Sequence, residues 1–162
     1  MTVPRMIVGA CGWDHDGWSG TFYPDDLPQE WRLSYYANEF SGVLIPSAVW
    51  GSGGEALWGG WQDDVPEDFL FYLEQPAVSA QLEMMSRCGR ALGRQYAASL
   101  AAGESVLAPD DPSDLRQLRQ RLQALAADAQ PGRIPALFLT GKPPDIGRLR
   151  EVRLLAELAG LA

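Results

Sequence analysis

The chain has 162 residues, is 46% hydrophobic and carries a formal net charge of -8, a size and composition that fit one domain around one core. No stretch reaches the roughly 18 consecutive apolar residues of a membrane span, and the opening MTVPRMIVGACGW lacks the long apolar segment of a secretory signal, so a cytoplasmic protein without membrane contact is expected. Up to Gln75 there are twelve acidic residues against two arginines, and from Pro76 onward eleven basic against nine acidic; the acidic half holds all six tryptophans and would repel a phosphate backbone, which argues against nucleic acid as a ligand.

The elements follow in chain order. Met6 to Ala10 (MIVGA) is a short apolar run closed by Gly12 and reads as a buried strand. From Pro28, PQEWRLSYYANEF sets Trp31, Tyr35 and Phe40 near helical spacing, with Gly42 as a stop. Val43 to Ile45 begins a second strand, and a short helix fits between Glu55 and Gln62. Phe69 to Leu73 (FLFYL) is apolar throughout, as a strand buried on both faces should be. Leu82, Met85, Leu92, Tyr96 and Leu100 recur at helical intervals and predict one long helix. In DPSDLRQLRQRLQALAADA, Asp111 can cap a helix with Pro112 at its first position, and Leu115, Leu118, Leu122 and Leu125 make its apolar stripe. Pro135 to Thr140 is a fourth strand, GKPPD a turn, and Ile146 to Leu158 a terminal helix.

Four strand-and-helix units in alternation predict an α/β domain spanning 1–162 with a mainly parallel sheet, because parallel neighbours need crossover connections. Four units alone leave open edges and an apolar face, so a homodimer is expected to cover it; an open flavodoxin-like sandwich is the alternative. Cys11 and Cys88 stand far apart with no second cysteine near either, as free thiols do.

The opening block GACGWDHDGWSGTFYPDDLPQEWRLSYYANEFSGV resembles the start of the YecE-like family, the proteins called domain of unknown function 72. Gly9, Gly12, Trp13, Trp18, Gly20, Phe22, Tyr23, Pro24, Leu27, Pro28, Tyr35, Tyr36 and Phe40 carry the likeness. It is specific over the first third of the chain and extends through FLFYLEQP. The resemblance implies a TIM-type barrel, here a partial one of about four units, with the loops after the strands gathered on one functional rim. Where the family resembles Val-Glu-Ile-Asn-Ser-Thr-Phe-Tyr this chain reads VLIPSAVW, so Leu44, Pro46 and Ala48 replace polar positions, Ser47 remains and Trp50 stands for a tyrosine. Glu74 occupies a lysine position of the family, which reverses a charge.

The candidate site residues lie on that presumed rim. His15, the only histidine, sits between Asp14 and Asp16 and is the candidate acid-base group, with Glu74 as a catalytic carboxylate. Three consecutive residues cannot converge on one ion, so no metal is expected and no cofactor is implied. Cys11, Trp13, Asp14, Trp18, Tyr23, Ser47, Trp50 and Lys142, the chain's single lysine, are the candidate ligand-binding residues. TGKPPD does not make a phosphate loop, because the glycine-rich lead and the following Ser or Thr are missing. Two readings result: a degenerate relative binding a small polar ligand or a protein partner, or a hydrolase-type enzyme acting on a small or sugar-like substrate at the rim.

Overall fold

The computed structural model of the chain describes residues 6–162. Six short strands are present among them: β1 Ile7–Ala10, β2 Gly42–Ile45, β3 Leu70–Glu74, β4 Tyr96–Leu100, β5 Val106–Leu107 and β6 Ala136–Leu139. Every pairing is parallel, in two three-stranded sheets of order β1-β6-β5 and β2-β3-β4. The helices α1 Arg32–Glu39, α2 Ser47–Trp50, α3 Glu55–Asp63, α4 Leu82–Leu92, α5 Leu115–Ala127 and α6 Ile146–Leu158 connect them. The class is α/β.

The two sheets meet where β1 lies beside β2, and the contact there is unusually close. A Cβ added at Gly9 would stand 2.3 Å from the Gly42 carbonyl oxygen, and one added at Gly42 would stand 2.4 Å from Ile7 Cγ2. Only glycine allows that approach. At the C-terminal end, Cys11 bridges to Leu44 and the Gly12 amide donates to the Leu44 carbonyl at 2.8 Å. Between these points the fully buried Tyr36 hydroxyl, carried on α1, stands in for the ladder: it accepts from the Ala10 amide and donates to the Gly42 carbonyl, both at 2.8 Å.

Alternation along the strands separates two cores. Val8, Ala10, Val43, Ile45, Phe71, Leu73, Leu137 and Leu139 turn to the large cluster shared with the helices. Ile7, Leu44, Tyr72, Leu100, Ala136 and Phe138 form a second cluster on the other face. In it the Tyr72 and Phe138 rings meet edge to face at 5.0 Å, and the Tyr72 hydroxyl donates to the Ile134 carbonyl at 2.8 Å, so β3 of one sheet touches β6 of the other. The six residues of this second cluster are buried within the chain, with Leu70, Ala97, Ala98, Val106 and Ile134 partly buried around them.

Two expectations are corrected. The long helix ends at Leu92, where Gly93 takes φ +60, and Tyr96 and Leu100 belong to β4 instead; with β5 this gives six strands where four were expected. The α5 cap is Asp114, whose carboxylate accepts from the Gln117 amide in a reciprocal capping box. Asp111 accepts from the Ser113 amide and turns the preceding loop.

Because Tyr36 satisfies one buried donor and one buried acceptor, Tyr36→Phe leaves both without a partner. The variant is expected to lose about 1–3 kcal/mol of stability. Urea unfolding of the two proteins measures it, and an unchanged midpoint would show that the hydroxyl does not join the sheets.

Candidate functional site

The C-terminal ends of β1, β2 and β3 bring Cys11, Ser47 and Glu74 near one another, a grouping called the mouth below. Ser47 opens α2 directly after β2, and its backbone amide and hydroxyl both donate to Glu74 Oε1, at 3.1 and 3.2 Å. Glu74 Oε2 accepts no hydrogen bond from the described residues. Trp50, fully buried, donates its indole N–H to the Glu74 backbone carbonyl at 3.0 Å, and Trp58 donates to the Trp50 carbonyl at 3.0 Å, so the wall beneath the carboxylate is tied to the core.

Cys11 is half-buried beside this carboxylate. Burial, and secondarily the Glu74 charge, push its thiol up to about 11. It is a protonated thiol at neutral pH, where a nucleophile would need to be thiolate. His15 Nε2 donates to the Cys11 carbonyl at 3.0 Å and the ring edge lies on Trp18, centroids 4.5 Å apart. Burial holds the imidazole below the ordinary histidine range despite the nearby carbonyls and Asp14 charge. It is thus neutral, with Nε2 occupied by the backbone.

The rest of the opening loop serves packing. Trp18 is buried, stacks 6.2 Å from Tyr36 and donates its indole N–H to the Pro144 carbonyl at 2.8 Å. A Cβ at Gly17 would stand 2.6 Å from Pro143 Cδ, so the first and last rim loops touch. Trp13 meets Trp61 edge-on at 5.3 Å, and the buried Tyr23 hydroxyl donates to the Trp13 carbonyl. The structure therefore places Trp13, Trp18, Tyr23 and Trp50 inside the core, not as open ring faces at the mouth. Asp14 turns the other way, to Arg32 Nη1 at 2.6 Å and Gln29 Nε2 at 2.7 Å. Lys142 is exposed and makes no ion pair among the described residues.

Arg32 was not among the sequence candidates. Its Nη1 also reaches Asp16 at 3.0 Å, its guanidinium lies 5.7 Å from the Tyr23 ring centroid, and its Nε is buried with no hydrogen-bond partner. It clamps both aspartates of the opening loop onto the start of α1. The signal available in the sequence was that Arg32 is the single cation between Arg5 and Arg87.

The family model described as "Protein of unknown function DUF72" matches residues 7–131. The chain belongs to the DUF72 family. No curated protein matches it. Among solved structures, a DUF72 family protein (TM1631) from Thermotoga maritima is similar at TM-score 0.55 and 11% identity, over 94% of this chain and 99% of that one. A DUF72 family protein (EF0366) from Enterococcus faecalis matches at TM-score 0.48 and 8% identity, over 98% of both chains. The DUF72 match runs well past Pro76, beyond the segment whose motifs are recognisable by eye.

For this DUF72 chain the departures at the mouth have structural consequences. Leu44 packs into the inner cluster, where a carboxylate would be buried beside Ile7 and Tyr72. Burial, and secondarily the Glu74 charge, raise the thiol of Cys11. With pKa about 11, about one Cys11 in a thousand is thiolate at pH 8. In a Cys88→Ala background, reaction with an aromatic disulfide reagent is expected to keep accelerating far above the ordinary thiol range. Glu74→Gln removes the repelling charge and moves the inflection down. An inflection near the ordinary cysteine value, unmoved by the substitution, would contradict the assignment.

Proposed function

We propose that this chain is a non-catalytic binding protein, taking a small polar ligand at the mouth formed by Cys11, Ser47 and Glu74 on the strand C-terminal rim of a partial TIM-barrel-like sheet. The observation that carries the reading is the state of Glu74: one carboxylate oxygen is anchored by Ser47, while the other accepts nothing from the described residues. A carboxylate so held offers an acceptor whose position is fixed before the ligand arrives. The ligand is accordingly a hydrogen-bond donor, a hydroxyl-rich or amine-bearing small molecule, and a nucleic acid or an anionic membrane surface fits poorly. Lys142, on the loop after β6, is a second polar contact from the far side of the rim.

Turnover fits this mouth less well. The Cys11 thiol is pushed away from the thiolate, and His15 Nε2 is held by a backbone carbonyl. The hydrolase-type alternative would have to rebuild its base from Glu74 alone. A panel of polyols, sugars and amines screened by calorimetry decides between them, together with a matching panel of hydrolysable esters and glycosides. Glu74→Ala is expected to weaken the bound compound by about ten- to a hundredfold, the loss of a charge-assisted hydrogen bond of roughly 1.5–3 kcal/mol. Hydrolysis that disappears in His15→Ala or Glu74→Ala would replace the binding reading by the enzyme.

A further inference from the structure

Five tryptophans are buried; Trp31 is 61% exposed. It stands at the start of α1 on the wall of a notch of about 290 Å³ lined by Leu27, Trp31, Ser34, Tyr35, Asn38 and Asp64. The notch shares no residue with the mouth of Cys11, Ser47 and Glu74. Leu27, Trp31 and Tyr35 give it apolar and aromatic lining and Ser34, Asn38 and Asp64 polar lining; Ser34 donates to the Asp64 backbone carbonyl at 2.9 Å, and the Asp64 side chain makes no ion pair among the described residues.

The chain segments that flank the notch are acidic. Asp25, Asp26 and Glu30 precede it on the segment leading to α1, and Asp63 and Asp64 end α3; all five are exposed. Partial burial, together with the Asp63 charge, pushes the Asp64 carboxyl upward, the signature of a negative group without a compensating cation. Arg32, the single cation between Arg5 and Arg87 in the sequence, is buried and turned to Asp14 and Asp16. Arg150, the cation that comes near Tyr35, is already paired with Glu39. An indole face beside a carboxylate that makes no ion pair among the described residues is the combination that attracts an ammonium or guanidinium carried on an apolar stem. An exposed tryptophan flanked by a pocket is also the residue type that anchors protein interfaces.

We propose that the notch of Leu27, Trp31, Tyr35 and Asp64 docks an arginine or lysine side chain from a basic segment of a partner protein. The stem lies against Leu27 and Tyr35, and the charged head sits between the Trp31 indole and Asp64. The surrounding acidic residues steer the basic segment in, so binding weakens with added salt.

The test uses the full chain and capped peptides of glycine with two arginines, with two lysines, or with two citrullines, titrated by calorimetry at low and raised salt. Saturable binding of the arginine or lysine peptide is expected, with an affinity at least about tenfold lower for the citrulline peptide, for Trp31→Ala and for Asp64→Asn. Glu74→Ala, at the separate mouth, is expected to leave it unchanged. Trp31→Ala removes an exposed side chain, so an unchanged melting temperature shows that the variant folds, and Asp64→Asn tests the same site without loss of the ring. Equal binding of the citrulline peptide, or no saturable binding by either basic peptide, overturns the proposal. Ethylguanidinium binding as tightly as the arginine peptide would assign the notch to a free small cation. Self-association abolished by Trp31→Ala would assign it to a second copy; either result overturns the partner reading.

Discussion

The two three-stranded sheets share no continuous ladder, so their relation to one another depends on what happens between β1 and β2. Gly9 and Gly42 bring the backbones together, and the Tyr36 hydroxyl is threaded between the strands to satisfy Ala10 N–H and Gly42 C=O. The phenol ring is itself fixed: Trp18 stacks on it and Phe40 and Phe69 pack at 5.1 and 6.2 Å. A buried hydroxyl with both roles filled has one orientation, and displacing it would leave unpaired polar groups in an apolar core. The positions of Cys11 and Leu44, and with them the geometry of the mouth, follow from that one junction.

The same junction explains why the aromatic opening loop is rich in chemistry-bearing residues that do so little chemistry. Trp18 is the lid over Tyr36, His15 rests on Trp18, and Tyr23 holds the Trp13 carbonyl. Arg32 fastens the outer edge through Asp14 and Asp16. His15 and Tyr23 are thus occupied by backbone carbonyls, Trp13 and Trp18 by neighbouring rings, and Asp14 and Asp16 by Arg32. Two strands away, on β3, one oxygen of the Glu74 carboxylate accepts no hydrogen bond from the described residues.

Much of the architecture was legible because periodicity reports burial. The four strands read from the sequence coincide with β1, β2, β3 and β6, all of them apolar runs, and α6 spans the residues its stripe delimits. β4 escaped because YAASL is only half-buried and its Tyr96 and Leu100 continue a helical spacing from Leu92. The break is made by Gly93 in a left-handed conformation, and a glycine inside a periodic run does not announce its φ. β5, with two residues, offers no pattern at all. Ser47 and Glu74 were singled out because the family resemblance aligns Ser47 with a retained polar position and Glu74 with a lysine position. Tyr36 was noted only as part of a motif, and Arg32 not at all, since a buried arginine is recognisable only once its aspartates fold back on it.

The placement of β1 bears on how the chain acquires its structure. Its one continuous ladder is with β6, Ile7 against Ala136 through Ala10 against Leu139, and Trp18 finds its acceptor 126 residues later at Pro144. A ribosome delivers β1 well before its partner β6. Until Leu139 emerges, the nascent polypeptide carries an apolar strand with an unmet edge and an indole cluster lacking its roof, the features that recruit chaperones. The β1–β6 ladder thus joins segments far apart in the chain, a pairing whose closure carries a large loop-entropy cost.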